Sequence, residues 1–382
     1  MELDWKRLKK RGGKLFMELL QDSRYTLLYD HRLPTVYERM VAVKNATTGG
    51  MIRLEASSVC QLRCPACSTA RGKNRRGVIG WGFLKFADFA KFIEENPQVK
   101  TIEISNWGEV FLNPELDAII QFAYEKGVYL KAANGVNLNT VSHATLENLV
   151  KYQFRHLSVS IDGGSHETYR LYRRKGSFNR VIRNIKTINY FKEKYQSPFP
   201  KLNWQFVIFG HNEHELPLAR ELARELNMEF RPKLNHTPEH SPIMDKEFVR
   251  KEGGFKVASR DEFASVKRRA YSRPCTQLWD SPQINWDGKL LGCCVNKFGD
   301  FGNVFEDGLN NTLNSEKYQY AQKMVLGLAP QRDDIPCIRC KVYRTQIAGH
   351  TMEEPRAREK LLALVQIGCH IKDKITELVR GG

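Results

Sequence analysis

A chain of 382 residues has room for one large domain and an accessory one, and 41% hydrophobic with 27% charged residues describes an ordinary globular chain with a sizeable core. Its apolar runs, such as 206–209 and 361–365, fall far short of the ~18 residues a membrane span needs. The first ten residues lack the apolar stretch of a secretory signal, so a cytoplasmic location is expected. A formal net charge of +17 suits acidic partners such as nucleic acid, acidic peptides or anionic lipid, or a plain solvated surface.

Residues 1–50 read as a basic N-terminal extension, with Leu15, Leu19 and Leu20 at helical spacing. Six cations by position 14 (Lys6, Arg7, Lys9, Lys10, Arg11, Lys14) make it a candidate surface for an acidic partner, or a helix packed across the fold. From Met51 the pattern becomes strands alternating with helices. Strands are expected near 51–56, 100–105, 128–133, 156–162, 202–209 and 228–233. Helices are expected near 83–95, 114–126, 142–152, 178–195 and 213–226, with apolar residues every three or four positions. Such alternation predicts parallel βαβ units with right-handed connections over 51–234. Residues 235–272 read as a linker with a short helix. The 273–345 segment is rich in turns and cysteine, too poor in apolar residues for a core of its own, and predicts a small metal-stapled unit. A last helix is expected over 346–382, apolar at Leu361, Leu364, Val365, Ile371, Ile375 and Leu378.

The nine cysteines are clustered, and in a reducing compartment clustered thiols point to metal or redox chemistry before disulfides. Cys60, Cys64 and Cys67 directly follow the first strand. Three thiolates at these gaps can hold three irons of a 4Fe–4S cube and leave the fourth open to a ligand. The alternative is half a zinc site, with Cys64 and Cys67 paired to Cys337 and Cys340.

Cys-x3-Cys-x2-Cys after a first strand resembles the signature of the radical S-adenosylmethionine (radical SAM) enzymes. The resemblance implies a partial (βα)6 TIM-type barrel over 51–234 whose open iron chelates S-adenosyl-L-methionine (SAM). It carries further candidates at the ends of successive strands, where barrel sites are built. Gly108-Glu109 resembles the element that holds the SAM amino group, with Trp107 in place of a Gly. Ala66 stands where the family commonly has a larger apolar residue. Asn134, Ser160 and Asp162 suit ribose hydroxyls, and Ser160 and Asp162 share one strand face. Arg173 resembles the Arg that pairs with the SAM carboxylate, with Arg174 as the other choice. Ile208, in Phe206-x-Ile208-x-Gly210, resembles the family's adenine-binding run.

Cys275, Cys293, Cys337 and Cys340 form a closed set suited to zinc or to a fully ligated 4Fe–4S cluster. With Asp287-Gly288 and Gly302-Asn303 they resemble the twitch extension, the short form of the SPASM domain, which implies one auxiliary cluster and two 4Fe–4S clusters in all. Cys294, beside a ligand and expected across a strand from it, reads as a packed thiol or as a candidate hydrogen donor; Cys369 reads as structural. The resemblance implies a radical SAM oxidoreductase that cleaves SAM reductively, abstracts a substrate hydrogen atom and completes a net two-electron oxidation. Peptide modification and epimerisation are the other outcomes within the family, and a non-catalytic zinc-ribbon nucleic-acid binder is the reading from another class. A reductant such as flavodoxin or ferredoxin and a small-molecule or peptide substrate are the implied partners.

Overall fold

A computed structural model describes residues 51–267, 271, 275–325 and 329–346 of the protein. The basic extension, Cys369 and nearly all of the expected final helix lie outside the described residues. All six expected strands are present, each beginning within one residue of its expected start: β1 Met51–Leu54, β2 Thr101–Glu103, β3 Tyr129–Val136, β4 His156–Ser160, β5 Lys201–Ile208 and β6 Glu229–Leu234. They pair in parallel, and a strand not anticipated from the sequence, β7 Gln283–Ile284, extends the sheet beyond β1. The order β6-β5-β4-β3-β2-β1-β7 leaves an open, partial barrel.

The crossover helices are α1 Phe86–Glu95, α2 Leu116–Glu125, α3 His143–Lys151, α4 His166–Tyr172, α5 Phe178–Lys194 and α6 Leu216–Glu225. Serine caps start three of them. Ser142, Ser165 and Ser177 accept from the amides of Thr145, Thr168 and Arg180, filling donors that a helix start leaves open. Helix α4 was not expected, since seven residues are too few to show a clear apolar period. The 235–272 segment holds two helices rather than one, α7 Lys246–Glu252, capped by Asp245, and α8 Arg260–Lys267.

Strand parity divides the sheet's two faces. Ile52, Leu54, Ile102, Ile104, Leu157, Val159, Trp204 and Phe206 are buried in the main core, into which the helices also pack their apolar faces. On the alternating positions stand Arg53, Glu55, Glu103, Ser105, Ser158, Ser160, Asn203 and Gln205, all buried and polar. An apolar convex side and a polar concave side leave the barrel interior as the place for polar chemistry.

The cysteine-rich unit sits on the β1 edge. Gln283 accepts from Arg53 Nε at 3.2 Å, and the side chains of Asn285 and Trp286 donate to Ile79 O at 3.0 and 2.9 Å. The Asp287-Gly288 turn returns the chain so that Leu290 bridges Ile284 and Lys289 bridges Asn303. A Cβ on Gly288 would fall 2.1 Å from Asn303 Oδ1, which ties this turn to glycine.

Candidate iron–sulfur and SAM site

The cysteine triplet lies in the loop leaving β1. Cys67 N donates to Cys64 O at 3.2 Å, Glu109 N donates to Val59 O at 2.7 Å, and Gly108 packs so closely that a Cβ would meet Ser57 O at 2.3 Å. Gly108 thus serves close backbone approach between the loops after β1 and β2. Cys64 is buried, and Cys60 and Cys67 are half-buried. Burial pushes the Cys60 thiol up to about 12, with the Glu109 charge and then the other two thiols adding to it. Burial likewise raises Cys64 to about 11. Thiols in this state bind as thiolates only when a cation replaces the proton, which is what iron supplies. Among the described residues no three His, Cys, Asp or Glu side chains close around a single ion. A cube takes one thiolate per iron, and the triplet offers three.

Arg173 closes one side of the triplet. Its Nη1 stands 3.9 Å from Cys64 Sγ, and its Nε donates to Asp162 Oδ2 at 2.7 Å. Asp162 is fully buried, and its other oxygen accepts from Val207 N at 2.8 Å. Both oxygens are therefore engaged, and Asp162 orients the guanidinium instead of presenting a free carboxylate to a ribose. Arg174, by contrast, is exposed. Leu62, Tyr172, Val207 and Phe209 are buried with Cys64 in an apolar cluster beside the thiols.

The other expected residues divide. Ser160 accepts from Gln205 Nε2 at 3.2 Å on the concave face, and a Cβ on Gly135 would fall 2.3 Å from its Oγ. Asn134 donates to Ser105 O at 2.8 Å and to Asn106 Oδ1 at 3.0 Å. Glu109 is buried and accepts from Asn137 N at 2.7 Å and Phe111 N at 3.5 Å, so its carboxyl clasps two loops. Burial raises it to about 7. Ile208 does not join this group. Its side chain packs in the sheet–helix core, while its neighbours Val207 and Phe209 lie with Cys64, because strand alternation turns successive residues to opposite faces.

Three buried groups at the barrel interior escaped the sequence reading. Glu55, one residue past β1, accepts from Trp107 N at 3.0 Å and Gly108 N at 3.3 Å, and burial raises it to about 8. Glu103 accepts from Ser105 Oγ at 2.6 Å and Ala133 N at 2.9 Å. Arg53 is paired in register with Glu103 and stands two residues before Glu55, and its charge lowers both carboxyls against the larger effect of burial. Arg53 and Glu55, two residues apart at the end of β1, were the available signal, since alternation beside a cysteine loop aims both at the barrel interior.

The C-terminal thiols gather as well. Burial raises Cys293, with Cys275, Cys337 and Cys294 adding to it; burial raises Cys337 to about 12, with Cys275 and Cys340 adding to it. Tyr318, buried beside them, donates to Leu278 O at 2.9 Å. Cys294 is in a turn rather than on a strand, because the chain bends after Gly292, whose φ is +79°. Cys294 N donates to Gln277 Oε1 at 2.7 Å, and its carbonyl accepts from Asn106 Nδ2 at 3.1 Å.

Residues 54–197 match the family model of the radical SAM superfamily, and residues 275–341 match the SPASM iron–sulfur cluster-binding domain. An AdoMet-dependent heme synthase of Methanosarcina barkeri is 29% identical over 49% of this chain and 50% of its own length. An uncharacterized protein of Methanocaldococcus jannaschii is 28% identical over 46% of this chain and 52% of its own. The chain thus spans about half the length of the curated relatives it matches. Among solved structures, Streptococcus suis SuiB bound to S-adenosylmethionine superposes with a TM-score of 0.56 at 14% identity, over 89% of this chain and 82% of that one. The enzyme anSMEcpe with AdoMet and a peptide gives 0.52 at 12% identity, over 84% and 99%. These two share the fold. Thiol loop, partial barrel and family matches agree: residues 54–197 are a radical SAM domain and residues 275–341 a SPASM-type domain, a pairing that implies SAM and 4Fe–4S clusters as cofactors.

Proposed function

We propose that this radical SAM enzyme catalyses a net two-electron oxidation of a small-molecule or peptide substrate. Cys60, Cys64 and Cys67 hold the SAM-binding 4Fe–4S cluster, and Cys275, Cys293, Cys337 and Cys340 hold one auxiliary cluster. When bound, the first cluster supplies the electron that cleaves SAM into methionine and a 5′-deoxyadenosyl radical, which takes a hydrogen atom from the substrate. The observation that carries the reading is the guanidinium of Arg173, held between Asp162 and Cys64 Sγ. A fixed planar cation beside the thiol triplet is a carboxylate site, and SAM brings a carboxylate to that place.

The chain's own residues then have distinct tasks. Asp162 positions Arg173, Asn134 and Ser160 offer polar groups to the nucleoside, and Gly108 lets the backbone approach closely. Glu109 holds the loop after β2 against the loop after β3. Leu62, Tyr172, Val207 and Phe209 exclude water from the thiols, and the polar concave face beyond them receives the substrate. An AdoMet-dependent activity in a relative sharing half its length supports the choice of cofactor. Oxidation is preferred because a fully ligated auxiliary cluster is an outlet for the second electron.

Epimerisation is the second reading, and the hydrogen bond from Asn106 to the Cys294 carbonyl favours it by tying Cys294 to the end of β2. A thiol there is a hydrogen donor for a substrate radical. Turnover in deuterium oxide separates the two. Oxidised product without solvent deuterium, formed one per SAM consumed, is expected; product carrying one deuterium, lost in Cys294→Ala, would replace oxidation by epimerisation.

A further inference from the structure

From Ala56 to Ala87 the chain carries six Lys or Arg and no Asp or Glu, and the cysteine triplet lies within this stretch. Its 68–77 part is a succession of tight turns. Arg71 N donates to Cys67 O and Lys73 N to Ser68 O, both at 3.0 Å, and Gly77 N donates to Asn74 O at 3.3 Å. Two buried polar side chains fasten it to the site. Asn74 donates to Thr69 Oγ1 at 2.9 Å, and Thr69 donates in turn to Trp107 O at 2.7 Å.

The inward residues hold the loop, and the cations are left outside. Arg71, Lys73, Arg75 and Arg76 are all exposed, and none forms an ion pair among the described residues. Arg63, exposed between two of the thiols, donates its backbone N–H to Arg174 O at 3.0 Å, which brings exposed Arg174 alongside. Arg75 lies over the Trp81 ring, 4.5 Å from its centroid, but Arg71, Lys73 and Arg76 are held as like charges near one another with no opposite charge, so a use for them is sought outside the chain. Their position suggests that use. The loop begins four residues after Cys67, is tied to it by the Arg71 N–H to Cys67 O bond at 3.0 Å, and so sets its cations beside the half-buried thiols.

We infer that Arg63 and the 71–76 loop form the docking surface for an acidic one-electron carrier protein of the flavodoxin or ferredoxin class. The inference rests on the proposed function, which requires one electron per SAM cleaved. In the transfer the carrier is oxidised by one electron, the cluster on the triplet is reduced by one, and no atom changes hands. Complementary charge speeds such encounters and aligns them, and salt screens the effect.

The test compares wild-type protein with an Arg71→Glu, Lys73→Glu, Arg75→Glu, Arg76→Glu variant, the same four positions changed to Gln, and an Arg183→Glu, Lys186→Glu control on the exposed face of α5. Binding of oxidised flavodoxin is titrated at low and high ionic strength. The Glu variant is expected to bind at least ~10-fold more weakly at low salt with a flattened salt dependence, the Gln variant to fall between, and the control to match wild type. With dithionite as the reductant, all four proteins are expected to form 5′-deoxyadenosine alike; with reduced flavodoxin, the Glu variant is expected to be slow. Unchanged flavodoxin affinity in the Glu and Gln variants, or no binding by wild type at low salt, overturns the docking surface. Equal loss with dithionite and flavodoxin overturns it too, making the loop part of the SAM site. No 5′-deoxyadenosine from wild type with dithionite would instead sink the proposed function, while the titration still judges the surface.

Discussion

The side-chain amide of Asn106, just past β2, donates a 3.1 Å hydrogen bond to the backbone carbonyl of Cys294, 188 residues later in the chain. Asn106 Oδ1 also accepts from Asn134 at 3.0 Å, so one side chain joins the ends of β2 and β3 to the turn beside the auxiliary thiols. Replacing Asn106 by Ala removes both bonds and leaves the Cys294 carbonyl and the Asn134 amide to find other partners. A loss of ~1–3 kcal/mol is expected in chemical denaturation. A loss within error would mean that water replaces the link without cost.

Cys60→Ala, Cys64→Ala and Cys67→Ala combined should lower iron to about four per chain, held by the auxiliary set, and abolish 5′-deoxyadenosine formation. Iron analysis after anaerobic reconstitution checks the first point and chromatography the second. Retained SAM cleavage would refute the ligand assignment.

Arg173→Ala should weaken SAM binding by ~1.5–3 kcal/mol, the range for hydrogen bonds to charged groups. Asp162→Asn should give a smaller loss, because it frees the guanidinium to turn without removing it. Arg174→Ala, at an exposed position, should bind as wild type. Equilibrium dialysis with labelled SAM distinguishes the three; weak binding only in Arg174→Ala would reassign the role.

Gly108→Ala places a Cβ 2.3 Å from Ser57 O and 2.6 Å from Val59 O, and both obstacles are backbone. Separation of the two loops is the only relief, at ~1–3 kcal/mol or more. Reduced thermal stability together with loss of reconstituted iron is expected. Wild-type behaviour in both would show that the loops are not held as tightly as described.

Glu55 gives a pH signature of a definite sign. Burial raises its folded pKa from 4.5 to about 8, so between those values the folded chain holds a proton that the unfolded chain has lost. Its contribution is complete below pH 4.5 and is lost as pH rises toward 8, by up to ~1.4 kcal/mol per unit. Half-buried His156 and His211, whose pKa values are lowered, act in the opposite sense, so the informative quantity is the difference from Glu55→Gln. Wild type should lose stability relative to Glu55→Gln between pH 5 and 8. A constant difference across that range would show that Glu55 stays ionised.

The six strands and five of the crossover helices were legible in the sequence because apolar periodicity is a local property, readable within a window of a dozen residues. The cysteine spacing was legible for the same reason, since the ligand loop lies within eight consecutive residues. Tertiary structure alone decided the rest. Strand β7 exists because Gln283 and Ile284 meet β1 some 230 residues away, and two residues carry no period of their own. Asp162 became the partner of Arg173, and Glu109 a clasp for Asn137, through the way loops from different strands converge. Glu55, Glu103 and Arg53 look like surface charges in a linear reading. Only the curvature of the sheet buries them together, and burial in low dielectric is what changes their chemistry.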